Sequence, residues 1–222
     1  MELLYTAHVP GGEGPFPTIL ALHGWGASAH DLIGLAPILH GGRAIVLCPQ
    51  GPVAFQPGPR MPPAYGWFPL SQGRPPDPTA VSMAQGLVEI FIDDACERYP
   101  VDRSKLVLAG FSQGGFMASL VALSDPARYA GLLAMSSWLP AEIAEKLEPV
   151  PAHERLPTLL THGSEDPMIP IDRAYASRDA LLRLRVPVAF REYPMGHEIR
   201  PEALRDIVRW LEEKVLSPVE LT

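Results

Sequence analysis

Apolar runs of four to seven residues alternate with longer segments of helical period along most of the chain, and this rhythm predicts its elements. Strands are expected at Leu3–Val9, Thr18–Leu22, Ala44–Leu47, Leu106–Ala109, Ala130–Met135, Thr158–Thr161 and Val188–Tyr193. Helices are expected at Asp31–Leu39, Thr79–Arg98, Gln113–Leu123, Ala141–Lys146, Arg173–Leu184 and Pro201–Val215. Strand and helix in turn is the trace that crossover connections leave, so the pattern predicts a doubly wound, mostly parallel sheet of about seven strands with helices on both faces. Right-handed crossovers bring the C-terminal ends of the strands to one edge, where open sheets of this kind bind ligands. At 222 residues the chain fits one such domain, spanning 1–222.

Two stretches interrupt the rhythm. Pro49 to Pro78 is dense in proline and glycine yet holds Phe55, Tyr65, Trp67, Phe68 and Leu70. It is too long for a plain connection and too apolar for disorder, so it reads as a wall of a substrate pocket, the plain alternative being a structural Ω-like loop. Trp138 to Pro157 is a shorter, cap-like excursion. Trp67, Phe68, Leu70 and Trp138 are therefore the expected pocket residues.

Charge and composition remove several classes of function. A formal net charge of −7 without a basic cluster argues against nucleic acid and against anionic lipid surfaces. No run approaches the roughly 20 apolar residues of a membrane span, and Met1-Glu2-Leu3-Leu4-Tyr5 lacks the charged start and apolar centre of a signal peptide. A cytoplasmic location is expected. Cys48 and Cys96, the two cysteines, lie in apolar surroundings and read as buried thiols. No group of His, Cys, Asp and Glu has metal-ligand spacing, and no glycine pattern matches a P-loop or a dinucleotide fingerprint, so neither metal nor cofactor is expected. The 26 prolines and the absence of asparagine suit a heat-tolerant protein, and a GC-rich genome leaves the same bias.

The chemistry is concentrated where the strand Leu106–Ala109 runs into Gly110-Phe111-Ser112-Gln113-Gly114-Gly115 and then a helical pattern. A Gly-x-Ser-x-Gly turn between strand and helix is a nucleophile elbow, in which the tight backbone demands glycine two residues before and after the serine. Ser112 needs a base to take its proton and a carboxylate to orient that base. His197 follows the last predicted strand and is the expected base; Asp166 follows the strand before it and is the expected acid, with Glu165 and Asp172 as alternatives. The order Ser112, Asp166, His197 is that of α/β-hydrolases. The oxyanion hole requires two backbone N–H groups, expected from Gln113 and from Trp25 in the loop after Thr18–Leu22. His23 and His162, each followed by glycine after a strand, read as structural histidines bonded to loop backbone.

Five segments in order, Ile19-Leu20-Ala21-Leu22-His23-Gly24-Trp25-Gly26, Gly110 to Gly115, Ser136-Ser137-Trp138-Leu139-Pro140, His162 to Pro170 and Tyr193-Pro194-Met195-Gly196-His197, resemble the carboxylesterase/phospholipase branch of the α/β-hydrolases. That branch includes bacterial carboxylesterases and acyl-protein thioesterases. The resemblance covers nearly the whole chain and implies the α/β-hydrolase fold, the triad Ser112, Asp166 and His197, an oxyanion hole at the amides of Trp25 and Gln113, acyl-ester or thioester substrates, no cofactor, and often a homodimer. Within it, a serine carboxylesterase for short- to medium-chain esters is expected, with a lysophospholipase or thioesterase for longer chains as the alternative. The chain departs from the pattern at Pro69, where many relatives have aspartate, and at Ser136-Ser137, where glycine is common. Both departures bear on the shape of the acyl pocket.

Overall fold

The computed structural model describes residues 2–70 and 75–216. In chain order its strands are β1 (Tyr5–His8), β2 (Phe16–Leu22), β3 (Ile45–Pro49), β4 (Val53–Phe55), β5 (Ala64–Gly66), β6 (Val101–Phe111), β7 (Gly131–Met135), β8 (Thr158–Gly163) and β9 (Val188–Tyr193). The α-helices are α1 (Pro78–Arg98), α2 (Gln113–Ser124), α3 (Ala141–Ala144), α4 (Ile171–Arg183) and α5 (Pro201–Trp210).

Seven strands form one sheet in the order β1-β3-β2-β6-β7-β8-β9. Every pairing in it is parallel except β1 with β3. Central strands covered on both faces need apolar side chains at every position, and β3, β7 and β8 are buried throughout; the edge strands β1 and β9 are only half-buried. Alternate side chains feed two cores. Leu20, Leu22, Leu108 and Leu132 meet Val88 and Phe91 of α1, Phe116 of α2 and Leu181 of α4 on one face. Ile19, Ala21, Val107 and Leu133 meet Leu32, Leu39, Ile207 and Trp210 on the other.

Helix ends follow local chemistry. Asp77 caps α1 by accepting the Thr79 N–H at 3.0 Å, with Pro78 at the first helical position, where its missing N–H costs nothing. All of α2 from Gln113 to Leu123 is buried, which explains why its sequence is apolar apart from Gln113 and Ser119. No helix among the described residues is long and apolar enough to cross a membrane.

One expectation is corrected and two segments gain detail. The helix expected at Asp31–Leu39 is absent: the segment forms two 3-10 turns, Ile33–Leu35 and Leu39–Gly42. Leu32, Ala36 and Leu39 do bury at helical spacing, but Pro37 removes a backbone donor, and His40, Gly41 and Gly42 all take positive φ (50°, 59° and 73°). Second, the Pro49 to Pro78 loop contains the antiparallel hairpin β4–β5, and its residues 71–74 lie outside the described residues. Third, the Trp138 to Pro157 excursion contains α3 and the 3-10 turn His153–Arg155, and part of it packs on helix ends: His153 Nε2–H donates to Leu123 O near the C-terminus of α2, and Arg183 near the C-terminus of α4 donates to Ala144 O and Leu147 O.

Candidate active site

Ser112 joins β6 to α2 with φ 54° and ψ −120°, a conformation that a non-glycine residue adopts only at a cost of about 1–3 kcal/mol. The neighbouring glycines make it possible. A Cβ on Gly110 would lie 2.2 Å from Gly114 O, and one on Gly114 would lie 2.0 Å from Leu22 O. Both distances are far inside van der Waals contact, so the spacing around Ser112 is a steric requirement of three segments packed backbone to backbone. The Ser112 N–H donates to Met135 O at 2.9 Å, and Ser137 Oγ donates to Ser112 O at 2.8 Å, so the end of β7 holds the turn from both sides.

Asp166 and His197 come together from the ends of β8 and β9. His197 Nδ1 donates to Asp166 Oδ2 at 2.7 Å, while Asp166 Oδ1 accepts the backbone N–H groups of Met168 at 2.8 Å and Ile169 at 2.9 Å. The Asp166 side chain is completely buried. Burial pushes its carboxyl upward, but the Ile169 N–H, His197 and the Met168 N–H outweigh that and hold it below the ordinary carboxylate range. It is therefore ionised at neutral pH and keeps the His197 proton on Nδ1, leaving Nε2 free as a base. Glu165 and Asp172, the alternative acids, are exposed and make no bond to His197 among the described residues. His197 reaches the elbow through Phe111, the residue before Ser112, with ring centroids 4.8 Å apart. Ser112 Oγ itself makes no hydrogen bond among the described residues, an open arrangement common before substrate tightens a site.

The expected oxyanion donors face no competitor: the N–H groups of Trp25 and Gln113 make no hydrogen bond among the described residues. Gln113 stands at the first position of α2, where helical geometry leaves the N–H free. Trp25 is held by its surroundings. Its indole stacks on Phe55 with centroids 4.4 Å apart, and the next residue, Gly26, donates to Tyr65 O at 2.9 Å. His23 sits beneath this loop as expected of a structural histidine. Its Nδ1–H donates to Gly24 O at 2.7 Å, and its Nε2 accepts the Gly51 N–H at 3.0 Å. Burial, only partly offset by the bond to Gly24, lowers its pKa, so the ring is neutral.

The residues expected to wall the pocket separate. Trp67 and Phe68 are 1% and 0% exposed, so they lie inside the core and not on a wall. The reason is the Gln113 side chain, which accepts the Trp67 N–H at 2.8 Å and donates to Phe68 O at 2.7 Å, while the Trp67 indole N–H donates to His23 O at 2.9 Å. Leu70 is 43% exposed. Trp138 is half-buried beside the elbow, stacked on Phe116 with centroids 5.6 Å apart, and borders a cavity of about 10 Å³ with Ser137, Thr161 and His162. Two contacts of the site were not read from the sequence: the Gln113 clasp, and the approach of His162 to Asp166. The second has a sequence signal, since histidine at the end of a strand followed four residues later by aspartate lets the loop turn back on its own strand.

The phospholipase/carboxylesterase family model matches residues 7–215. Acyl-protein thioesterase 1 of Gibberella zeae is 33% identical over 178 residues, which cover 75% of this chain and 74% of that protein. In fold, the chain resembles esterase PE8 with a TM-score of 0.83 at 23% identity, over 97% of this chain and 100% of that one. It also resembles the Bacillus cereus carboxylesterase, with a TM-score of 0.81 at 20% identity, over 96% and 94% of the two chains. The fold is thus that of the α/β-hydrolases, and the chain belongs to the phospholipase/carboxylesterase family of serine hydrolases.

Proposed function

We propose that this protein is a cytoplasmic serine carboxylesterase acting on short- to medium-chain acyl esters through an acyl-enzyme on Ser112. The observation that carries this reading is the buried, ionised Asp166 bonded to His197 beside a strained Ser112. His197 Nε2 takes the Ser112 hydroxyl proton as Oγ attacks the ester carbonyl carbon, and the carbonyl electron pair moves to oxygen. The N–H groups of Trp25 and Gln113 bind that oxyanion. Collapse of the tetrahedral species breaks the ester C–O bond, and the imidazolium returns its proton to the leaving alcohol. Water then attacks the acyl-enzyme with His197 again as base, releasing the acid and free Ser112.

The preference for shorter chains rests on the inward packing of Trp67 and Phe68 and on the small enclosed cavity beside Trp138, about 10 Å³. The 33% identity to acyl-protein thioesterase 1 supports a second reading, a thioesterase or lysophospholipase with longer acyl chains. The deciding experiment is kcat/KM for p-nitrophenyl esters from acetyl to palmitoyl, with Ser112→Ala as the blank. A short-chain optimum supports the first reading and a palmitoyl optimum the second. Ester turnover that survives Ser112→Ala would remove Ser112 from the mechanism.

A further inference from the structure

We propose that His162 is a positioning residue for the Asp166–His197 pair, an inference that rests on the Ser112–Asp166–His197 reading above. His162 Nε2 lies 2.8 Å from Ile169 O and 3.6 Å from Asp166 Oδ2. A carbonyl oxygen can only accept, so Nε2 carries the proton and donates it to Ile169 O, with Asp166 Oδ2 nearby. The longer separation is not a hydrogen bond, yet both side chains are shut off from water (1% and 0% exposed), where the N–H dipole acts on the carboxylate with little screening.

The geometry closes a ring. The Ile169 N–H donates to Asp166 Oδ1 at 2.9 Å, and Ile169 O accepts from His162 at 2.8 Å, so one peptide segment links the histidine to the carboxylate. His162 belongs to β8 and lies opposite Glu192 of β9 in the sheet register, whereas Asp166 and Ile169 lie beyond the strand end. The imidazole therefore ties a loop that carries the orienting acid to the rigid ladder. With Oδ1 fixed by two N–H groups and the turn pinned below, Oδ2 has one orientation left, the one that faces His197. A histidine that only filled space would be replaceable by any side chain of similar volume.

That difference defines the test. The His162 ring borders the cavity behind Trp138, so leucine fits there without overpacking while removing the N–H, and glutamine keeps an N–H₂ group able to reach Ile169 O. The assay is kcat and KM on a short p-nitrophenyl ester, with active sites counted by fluorophosphonate labelling of Ser112 so that misfolded protein does not enter kcat. The low-field proton resonance of His197 Nδ1–H is followed in parallel. We expect His162→Leu to lower kcat about 10- to 100-fold with KM within about twofold, as misplacement of a catalytic group by about 1 Å does, and to shift or broaden the resonance. His162→Gln should recover most of both. The proposal is overturned if His162→Leu keeps kcat per labelled site and an unmoved resonance, or if the glutamine and leucine variants lose kcat equally. A wild-type protein that the probe does not label at Ser112 would sink the triad reading itself, and this proposal with it; normal labelling with an indifferent His162→Leu sinks the positioning role alone.

Discussion

His197 Nδ1 donates to Asp166 Oδ2 at 2.7 Å across 31 positions of sequence, and the other oxygen of the same carboxylate is held by two backbone N–H groups of its own loop. The carboxylate therefore cannot turn. Its orientation is fixed locally by Met168 and Ile169, and its remaining lone pairs select the His197 tautomer.

Replacing Asp166 by asparagine keeps the volume and loses that selection. The amide places either an N–H or a neutral oxygen against His197, so the imidazole is free to protonate on the wrong nitrogen. We expect kcat to fall by about 10⁴-fold with an unchanged circular dichroism spectrum. A loss of less than about tenfold would mean that another carboxylate does this work.

Methyl groups at the elbow glycines should be intolerable. The Cβ of Gly114→Ala would stand 2.0 Å from Leu22 O and that of Gly110→Ala 2.2 Å from Gly114 O, both against backbone that cannot swing aside. Each substitution should cost about 3 kcal/mol or more and abolish fluorophosphonate labelling. Gly86→Ala is the control, because nothing lies within 4 Å of its Cβ position; it should leave the melting temperature unchanged or raise it.

Gln113→Ala tests the clasp. It would leave the buried Trp67 N–H and Phe68 O without partners, and each orphaned group costs about 1–3 kcal/mol. Urea unfolding should show a loss of about 2 kcal/mol or more. A stability within about 0.5 kcal/mol of wild type would show that the loop holds itself in place.

The buried, neutral His23 should make stability depend on pH. Its pKa is lowered from 6.5 in the folded protein, so the unfolded chain binds the proton more readily. The contribution of neutral His23 is therefore complete above about pH 6.5 and is lost as pH falls below that value. The stability gap between wild type and His23→Gln, whose side chain does not titrate, should narrow between pH 7.5 and pH 5 in urea titrations. A gap constant over this interval would contradict the assignment.

Much of this protein is legible in one dimension because the relevant causes are local. Runs such as Leu132 to Met135 or Ile45 to Cys48 are apolar at every position because a central parallel strand is covered on both faces, and that demand is written directly in the sequence. The Ser112 turn is legible for the same reason, since only glycine fits two residues either side of it. The helix expected over Asp31–Leu39 shows the limit of such reasoning. Its apolar spacing was right and its side chains do bury, but Pro37 breaks the hydrogen-bond ladder, and burial is then achieved through 3-10 turns.

What the sequence by itself determined is the class of sheet, the elbow and the order in which Ser112, Asp166 and His197 meet the strand ends. Only the tertiary structure decided which aromatic residues face the core and which polar groups touch. Trp67 and Phe68 read as pocket wall in the sequence, yet both pack in the core, with their backbone bonded to Gln113, 46 and 45 residues away. The 2.7 Å bond of Asp166 to His197 is likewise a contact between separate strand ends, and the approach of His162 to Asp166 depends on how the loop after β8 folds back on its own strand. Local patterning specifies how each segment folds, whereas the distances that chemistry depends on arise only when those segments are packed against one another.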